Sequence, residues 1–114
     1  MTNAPGLDAD RVKLASRTQW DACAKGWNDS SPVIRAWLEE PTRAMLEMAG
    51  IAHGARVLDA AAGSGDQTLD IAQRVGPDGH VLATDLSPVM LALAKENAGR
   101  AGFSNVETVV DPLR

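Results

Sequence analysis

The sequence predicts an α/β fold: a doubly wound parallel sheet, with three strands present, preceded by two N-terminal helices. Three observations predict it. Short apolar runs at residues 56–59, 80–85 and 105–110 alternate with segments of helical period, and an acid closes or directly follows each run. Such alternation calls for a parallel sheet joined by right-handed crossovers. The strand segments Val57-Leu58 and Val109-Val110 read almost wholly apolar, which suits a sheet covered on both faces. Residues 8–50, by contrast, read as helices.

Composition narrows the class. The chain has 114 residues, 45% of them hydrophobic, which allows one domain with a modest core. Its net charge is −4, and its 11 Lys and Arg residues are scattered without a run. That balance argues against nucleic acid, because phosphate binding needs clustered basic side chains. The single cysteine, Cys23, allows no internal disulfide and reads as a small buried hydrophobe. No apolar run approaches 18 residues, so no membrane span is expected. Residues 1–10 lack a basic stretch followed by an apolar one, so no secretory signal is expected and a cytoplasmic protein is.

The elements follow in order. Residues 1–7 read as a flexible tail. Residues 8–50 form a helical cap. Its first helix runs from Asp8 to about Lys25, capped by Asp8 or Asp10, with Gly26 after its end. The best stripe on it is Trp20, Cys23, Ala24 and Trp27. Ser30-Ser31-Pro32 opens the second helix by a Ser cap with Pro in the first turn. Pro41 breaks or restarts that helix. Thr42 to Ala49 continues it, with Met45, Met48 and Ala49 facing inward. Residues 51–114 make up the strand-bearing half-domain. Strand Arg56–Asp59 leads through a small-residue turn into a helix over Asp66–Val75. Gly76-Pro77-Asp78-Gly79 is a dense turn, and strand His80–Asp85 follows. Ser87-Pro88 repeats the cap signature before a helix with Met90, Leu93, Ala94, Asn97, Ala98 and Ala101 on one side. Gly102 ends it, and Asn105–Val110 is the third strand.

In an open parallel sheet, ligands bind beyond the carboxyl ends of the strands. The residues found there are Asp59-Ala60-Ala61-Ala62-Gly63-Ser64-Gly65 after the first strand, Asp85 after the second and Asp111 after the third. Gly63 and Gly65 let the backbone approach a ligand closely. Asp85 stands 20 residues after Gly65, the spacing at which an acid reaches the ribose hydroxyls of a nucleotide. A dinucleotide fingerprint wants Gly or Ala three positions after Gly65, and Thr68 stands there instead. Asp59, just before the turn, repels pyrophosphate and suits a cation. A positively charged ligand carrying a ribose fits this set.

The segment Val57-Leu58-Asp59-Ala60-Ala61-Ala62-Gly63-Ser64-Gly65-Asp66, with the run from Gly79 to Ala94 through Asp85, resembles motif I and the second strand of class I S-adenosylmethionine-dependent methyltransferases. The branch it resembles is that of the ubiquinone/menaquinone-biosynthesis methyltransferases, over about residues 55–111. The resemblance implies a Rossmann-like fold and S-adenosyl-L-methionine as cofactor. It implies that Asp59, Gly63, Ser64 and Gly65 line the methionine part and the ribose edge. It implies that Asp85 holds the ribose hydroxyls, that Leu86 and Met90 pack on the adenine, and that Asp111 sits near the adenine amino group. The N-terminal helices, with Trp20, Trp27 and Trp37, would cover the cofactor and shape the pocket of a small-molecule methyl acceptor. No side chain stands out as a base. The family's first motif glycine falls at Ala61, and its sheet continues beyond a third strand. The chain therefore reads as truncated after that strand, with the edge of the first strand open to a second copy or a partner chain.

Other readings stay open. The chain is alternatively a non-catalytic cofactor-binding or dimerising module, or a dinucleotide-binding domain of an oxidoreductase. Asp66 reads equally as a helix cap and as a ligand contact. Asp70, Asp78, Glu96 and Glu107 read as solvated surface. His53 and His80 are isolated, with no second ligand at metal spacing. The tryptophans serve as core, as pocket lining, or as both.

Overall fold

The computed structural model describes residues 8–111. The expected tail at 1–7 and the last three residues lie outside that range. Helix α1 spans Ala9–Asp29, α2 Ser31–Trp37 and α3 Glu39–Met48. Then come β1 (Arg56–Ala60), α4 (Asp66–Val75), β2 (His80–Asp85), α5 (Pro88–Arg100) and β3 (Val106–Val110). The expected order of strands and helices holds, with two corrections in the N-terminal part.

First, α1 does not end at Gly26 but continues to Asp29. Gly26 keeps helical geometry, and the contacts of Trp27 and Asn28 further on outweigh its modest helix penalty. Asp8 is the cap, accepting from the amides of Asp10 and Arg11. Second, three helices rather than two precede the sheet. The break falls at Leu38, at φ −96° and ψ 9°, not at Pro41. Pro41 lies in the first turn of α3, where its missing N–H has no intrahelical acceptor to lose.

The strands lie side by side in the order β1-β2-β3, all parallel, with Val57 opposite Val81 and Val81 opposite Val106. Val81 and Ala83 are buried beneath the helices, while their neighbours along the strand are not. Two successive right-handed crossovers in one direction put α4 and α5 on the same face. The expectation of a sheet covered on both faces is therefore not met among the described residues. Leu58, on the other face, is 64% exposed, and β1 pairs with β2 alone.

The core gathers Leu46 of α3, Ile71, Ala72 and Val75 of α4, and Val81 of β2, with Val57, Phe103 and Val106 against it. Asn105 locks the end of α4, donating to the carbonyls of Ala72 (3.0 Å) and Gly76 (2.9 Å). Leu46 and Thr42 are the buried residues of α3. Met45 and Met48, expected inward, are exposed, Met48 by 88%. The stripe through residues 42 and 46 meets α4, and the helical period turns Met45 and Met48 away from it. Cys23 is likewise exposed rather than buried, because Ala24 holds the inward position on α1. Among the described residues, no helix is long and apolar enough to cross a membrane.

Candidate functional site

The loop after β1 is built from left-handed residues. Ala61, Gly63 and Gly65 have φ of 57°, 60° and 95°. An added Cβ at Gly63 meets nothing within 4 Å, so this part of the loop faces open space. Gly65 has a different role: a Cβ there lies 3.1 Å from that of Ala94, so this glycine lets α4 start against α5. The loop is tied to β2 by the amide of Ala62, which donates to the carbonyl of Thr84 at 2.9 Å.

Asp85 closes the arrangement. Its two carboxylate oxygens accept from the amides of Gly63 and Ser87, each at 2.9 Å. Charge-assisted bonds to main-chain amides fix the carboxylate in place, and its remaining lone pairs are free to accept from a ligand. Ser87 caps α5 as expected, accepting from the amide of Met90 at 3.0 Å. It also donates to Asp21 of α1.

These segments border a cavity of about 430 Å³, within the usual size of a small-ligand site. One wall consists of Ala61 to Ser64 with Asp85, Leu86, Met90 and Asp111. The opposite wall consists of Trp20, Trp27, Ile34, Leu38 and Thr42 from the N-terminal helices. Trp20 and Trp27 meet edge to face, ring centres 6.0 Å apart. Six of the eight expected cofactor residues thus line one cavity: Gly63, Ser64, Asp85, Leu86, Met90 and Asp111. Gly65 and Asp59 do not. Asp59 lies behind the loop, half-buried, and accepts from the Thr68 hydroxyl at 2.6 Å. Burial pushes its carboxyl above the usual range; the Thr68 bond opposes this and the charge of Asp85 adds to it. Of the tryptophans, Trp37 does not line the cavity and is 79% exposed.

Several cavity residues escaped the sequence reading. Asp70, read as solvated surface, lines the cavity and pairs with Arg35 of α2 at 2.6 Å. Asp66, read equally as a cap and as a ligand contact, lines the cavity as the first residue of α4, with Gly65 as the cap, and accepts from the Ser31 hydroxyl. Gln67 reaches Thr42 at 3.3 Å. These contacts join α2 and α3 to α4 across 25 to 35 residues, and no local pattern announces them. The polar stripe of α1 was missed too: Arg17, Asp21 and Asn28 each bond to a strand-end segment or to α5. Its spacing of four and seven residues was the available signal.

The residues fit a cationic nucleoside better than a phosphate ester. Asp66, Asp70, Asp85 and Asp111 line the cavity, and its one cationic lining side chain among the described residues, Arg35, is engaged by Asp70. The Ser64 hydroxyl is buried without a partner, the kind of group a bound ligand satisfies. No group of three potential metal-binding side chains occurs among the described residues.

A parallel sheet, a left-handed glycine loop after its first strand and an acid held at the end of its second define a Rossmann-like nucleoside-binding fold. Residues 51–112 match the family model described as a methyltransferase domain, and the chain belongs to that family. The arsenite methyltransferase of Halobacterium salinarum is 44% identical over 59 residues, 52% of this chain and 15% of the relative. A demethylmenaquinone methyltransferase from Bacillus cytotoxicus is 37% identical over 73 residues, 64% of this chain and 29% of the relative. The chain thus spans less than a third of the length of these relatives. Among solved structures, a SAM-dependent methyltransferase from Aquifex aeolicus superposes with a TM-score of 0.59 at 30% identity, covering 62% of this chain and 38% of that one. Coclaurine N-methyltransferase bound to N-methylheliamine and SAH gives 0.60 at 29% identity, covering 64% and 21%.

Proposed function

We propose that this chain provides the S-adenosylmethionine-binding part of a cytoplasmic methyltransferase that acts on a small-molecule acceptor. The observation that carries the reading is Asp85, held by the Gly63 and Ser87 amides at the border of an acid-lined cavity. A carboxylate so fixed accepts from two vicinal hydroxyls without reorganising. Leu86 and Met90 offer the adjoining apolar surface for a base, and Asp111 an acceptor for its amine. Gly63 and Ser64 receive the amino-acid end. Asp59 adds negative potential from behind the loop. When bound, the cofactor supplies an electrophilic methyl group on a sulfonium. The chain's own contribution is then position and charge: acids for the cation, and Trp20 and Trp27 as an apolar wall that limits water. No side chain is assigned as a general base.

The test is calorimetric titration of the chain with S-adenosylhomocysteine, with NAD as control. Binding at about 1–100 μM, or about 5.5–8 kcal/mol, lost in Asp85→Ala and absent for NAD, supports the reading. Binding of NAD in place of S-adenosylhomocysteine supports an oxidoreductase and overturns it. Thr68 already speaks against NAD: the fingerprint's Gly or Ala is replaced by a buried side chain bonded to Asp59.

A second reading concerns assembly and is compatible with the first. Among the described residues, β1 has an unpaired edge beside the exposed Leu58, a template for strand addition by a second copy or a partner chain. Light scattering at increasing concentration tests it: a mass that doubles supports self-association, and a constant monomer mass rules it out.

A further inference from the structure

Helix α1 docks by polar contacts. Arg17, Asp21, Ala24 and Asn28 fall at intervals of four, three and four, which places them on one stripe of the helix. Ala24 is the only buried residue of α1. The other three bond to the segments that border the cavity or to α5 behind them. Asp21 accepts from Ser87. Asn28 accepts from Asn97 of α5 at 2.8 Å, and the same amide donates to the Ser64 carbonyl at 2.9 Å.

Arg17 makes the link that bears most directly on ligand binding. Its Nε donates to the carbonyl of Leu86 at 2.9 Å, and its Nη2 to the carbonyl of Asp111 at 3.2 Å. β2 and β3 are last joined by the Asp111 amide donating to the Asp85 carbonyl at 2.9 Å. One step beyond that bond, the guanidinium spans the carbonyls of Leu86 and Asp111. A planar fork with donors in fixed directions sets a distance between two acceptors; an ammonium does not.

We infer that Arg17 is a positioning residue: it fixes the spacing of the Leu86 and Asp111 segments and so sets selectivity for the base of the bound nucleoside. The inference rests on the proposed reading, in which Leu86 and Asp111 flank the adenine. With the slot held, an amine at the base edge meets an acceptor at Asp111 and a carbonyl meets repulsion. With the slot released, the distinction fades. Because Arg17 lies outside the hydrophobic core, its loss acts on the slot more than on the fold.

The experiment compares S-adenosylhomocysteine with S-inosylhomocysteine, which differ in the base alone, by titration of the unaltered chain, Arg17→Ala and Arg17→Lys. The unaltered chain is expected to favour the adenosyl compound by about tenfold or more. Both variants weaken adenosyl binding about tenfold, leave inosyl binding within about twofold, and so collapse the ratio. Their ligand-free melting temperatures stay within about 4 °C of the parent. Equal weakening of both ligands reduces Arg17 to a structural tie and overturns the inference, as does an unchanged ratio. A folded, unaltered chain that binds neither compound removes the cofactor reading itself, and the inference falls with it.

Discussion

The left-handed loop after β1 makes a graded prediction about stability. Ala61, at φ 57°, is the one described residue other than glycine with positive φ. An L-residue held there gives up about 1–2 kcal/mol. Glycine removes that strain but adds back about 0.5–1 kcal/mol through the freedom of the unfolded chain. Ala61→Gly should therefore stabilise by about 0.5–1 kcal/mol, raising the melting temperature by roughly 2–6 °C in a domain of this size. Gly63→Ala makes the reverse change at φ 60°, where the new Cβ meets nothing within 4 Å. It should cost about the same amount and no more. Gly65→Ala carries strain at φ 95° and also drives a Cβ to 3.1 Å from the Ala94 Cβ and 3.2 Å from its Cα. Neither backbone yields easily in a packed helix pair, so the expected loss is about 2–3 kcal/mol. Urea unfolding at constant slope reads all three on one scale. A lower midpoint for Ala61→Gly would show that Ala61 carries no strain. A Gly65→Ala variant as stable as Gly63→Ala would show that the approach to Ala94 costs nothing.

Four further outcomes are expected. Asp59 binds its proton more tightly in the folded chain than at the usual 3.8, so stability falls as pH rises through that value towards the raised one and stays lower above it. Asp59→Asn should then melt higher than the parent at pH 7, with the gain shrinking as pH falls through the raised value towards 3.8 and staying small below it; a difference that stays constant from pH 7 down to 3.8 refutes the assignment. Leu46→Ala should lose about 2–4 kcal/mol in urea unfolding, because Leu46 is 4% exposed in the core. Met48→Ala should lie within about 0.5 kcal/mol of the parent, and a larger loss would restore the inward face first expected for α3. Asn97→Ala should cost about 1–2 kcal/mol and weaken S-adenosylhomocysteine binding several-fold, because one amide holds both the Ser64 carbonyl and Asn28; full affinity would show that the loop holds its shape without it.

The strand-bearing half was legible because its signals are local. β2 and α4 fall where periodicity places them, and Ser87 caps α5 as its spacing with Pro88 implies. Six of the eight expected site residues meet at one cavity because strand ends, whatever their neighbours, project to the same edge of a parallel sheet. The helical part was less legible. Its helices do not differ enough in apolar content to show which face docks. Met45 and Met48 were read inward on hydrophobicity alone, whereas Thr42 and Leu46 meet α4. Asp59 was expected among the lining residues, and its burial behind the loop depends on Thr68, nine positions on.

Local pattern sets the alternation of strand and helix, the glycine turn, and the acids at the strand ends. These depend on periods of two and 3.6 residues and on the dihedral freedom of glycine, all properties of neighbouring residues. Long-range packing sets which acids face the cavity, which face of the sheet the helices cover, and how α1 is fastened across the strand ends. Those outcomes rest on contacts between residues 17 and 111, 21 and 87, or 28 and 97. A bond across such a separation is set by where the whole chain places its elements, and no short stretch of sequence contains that information.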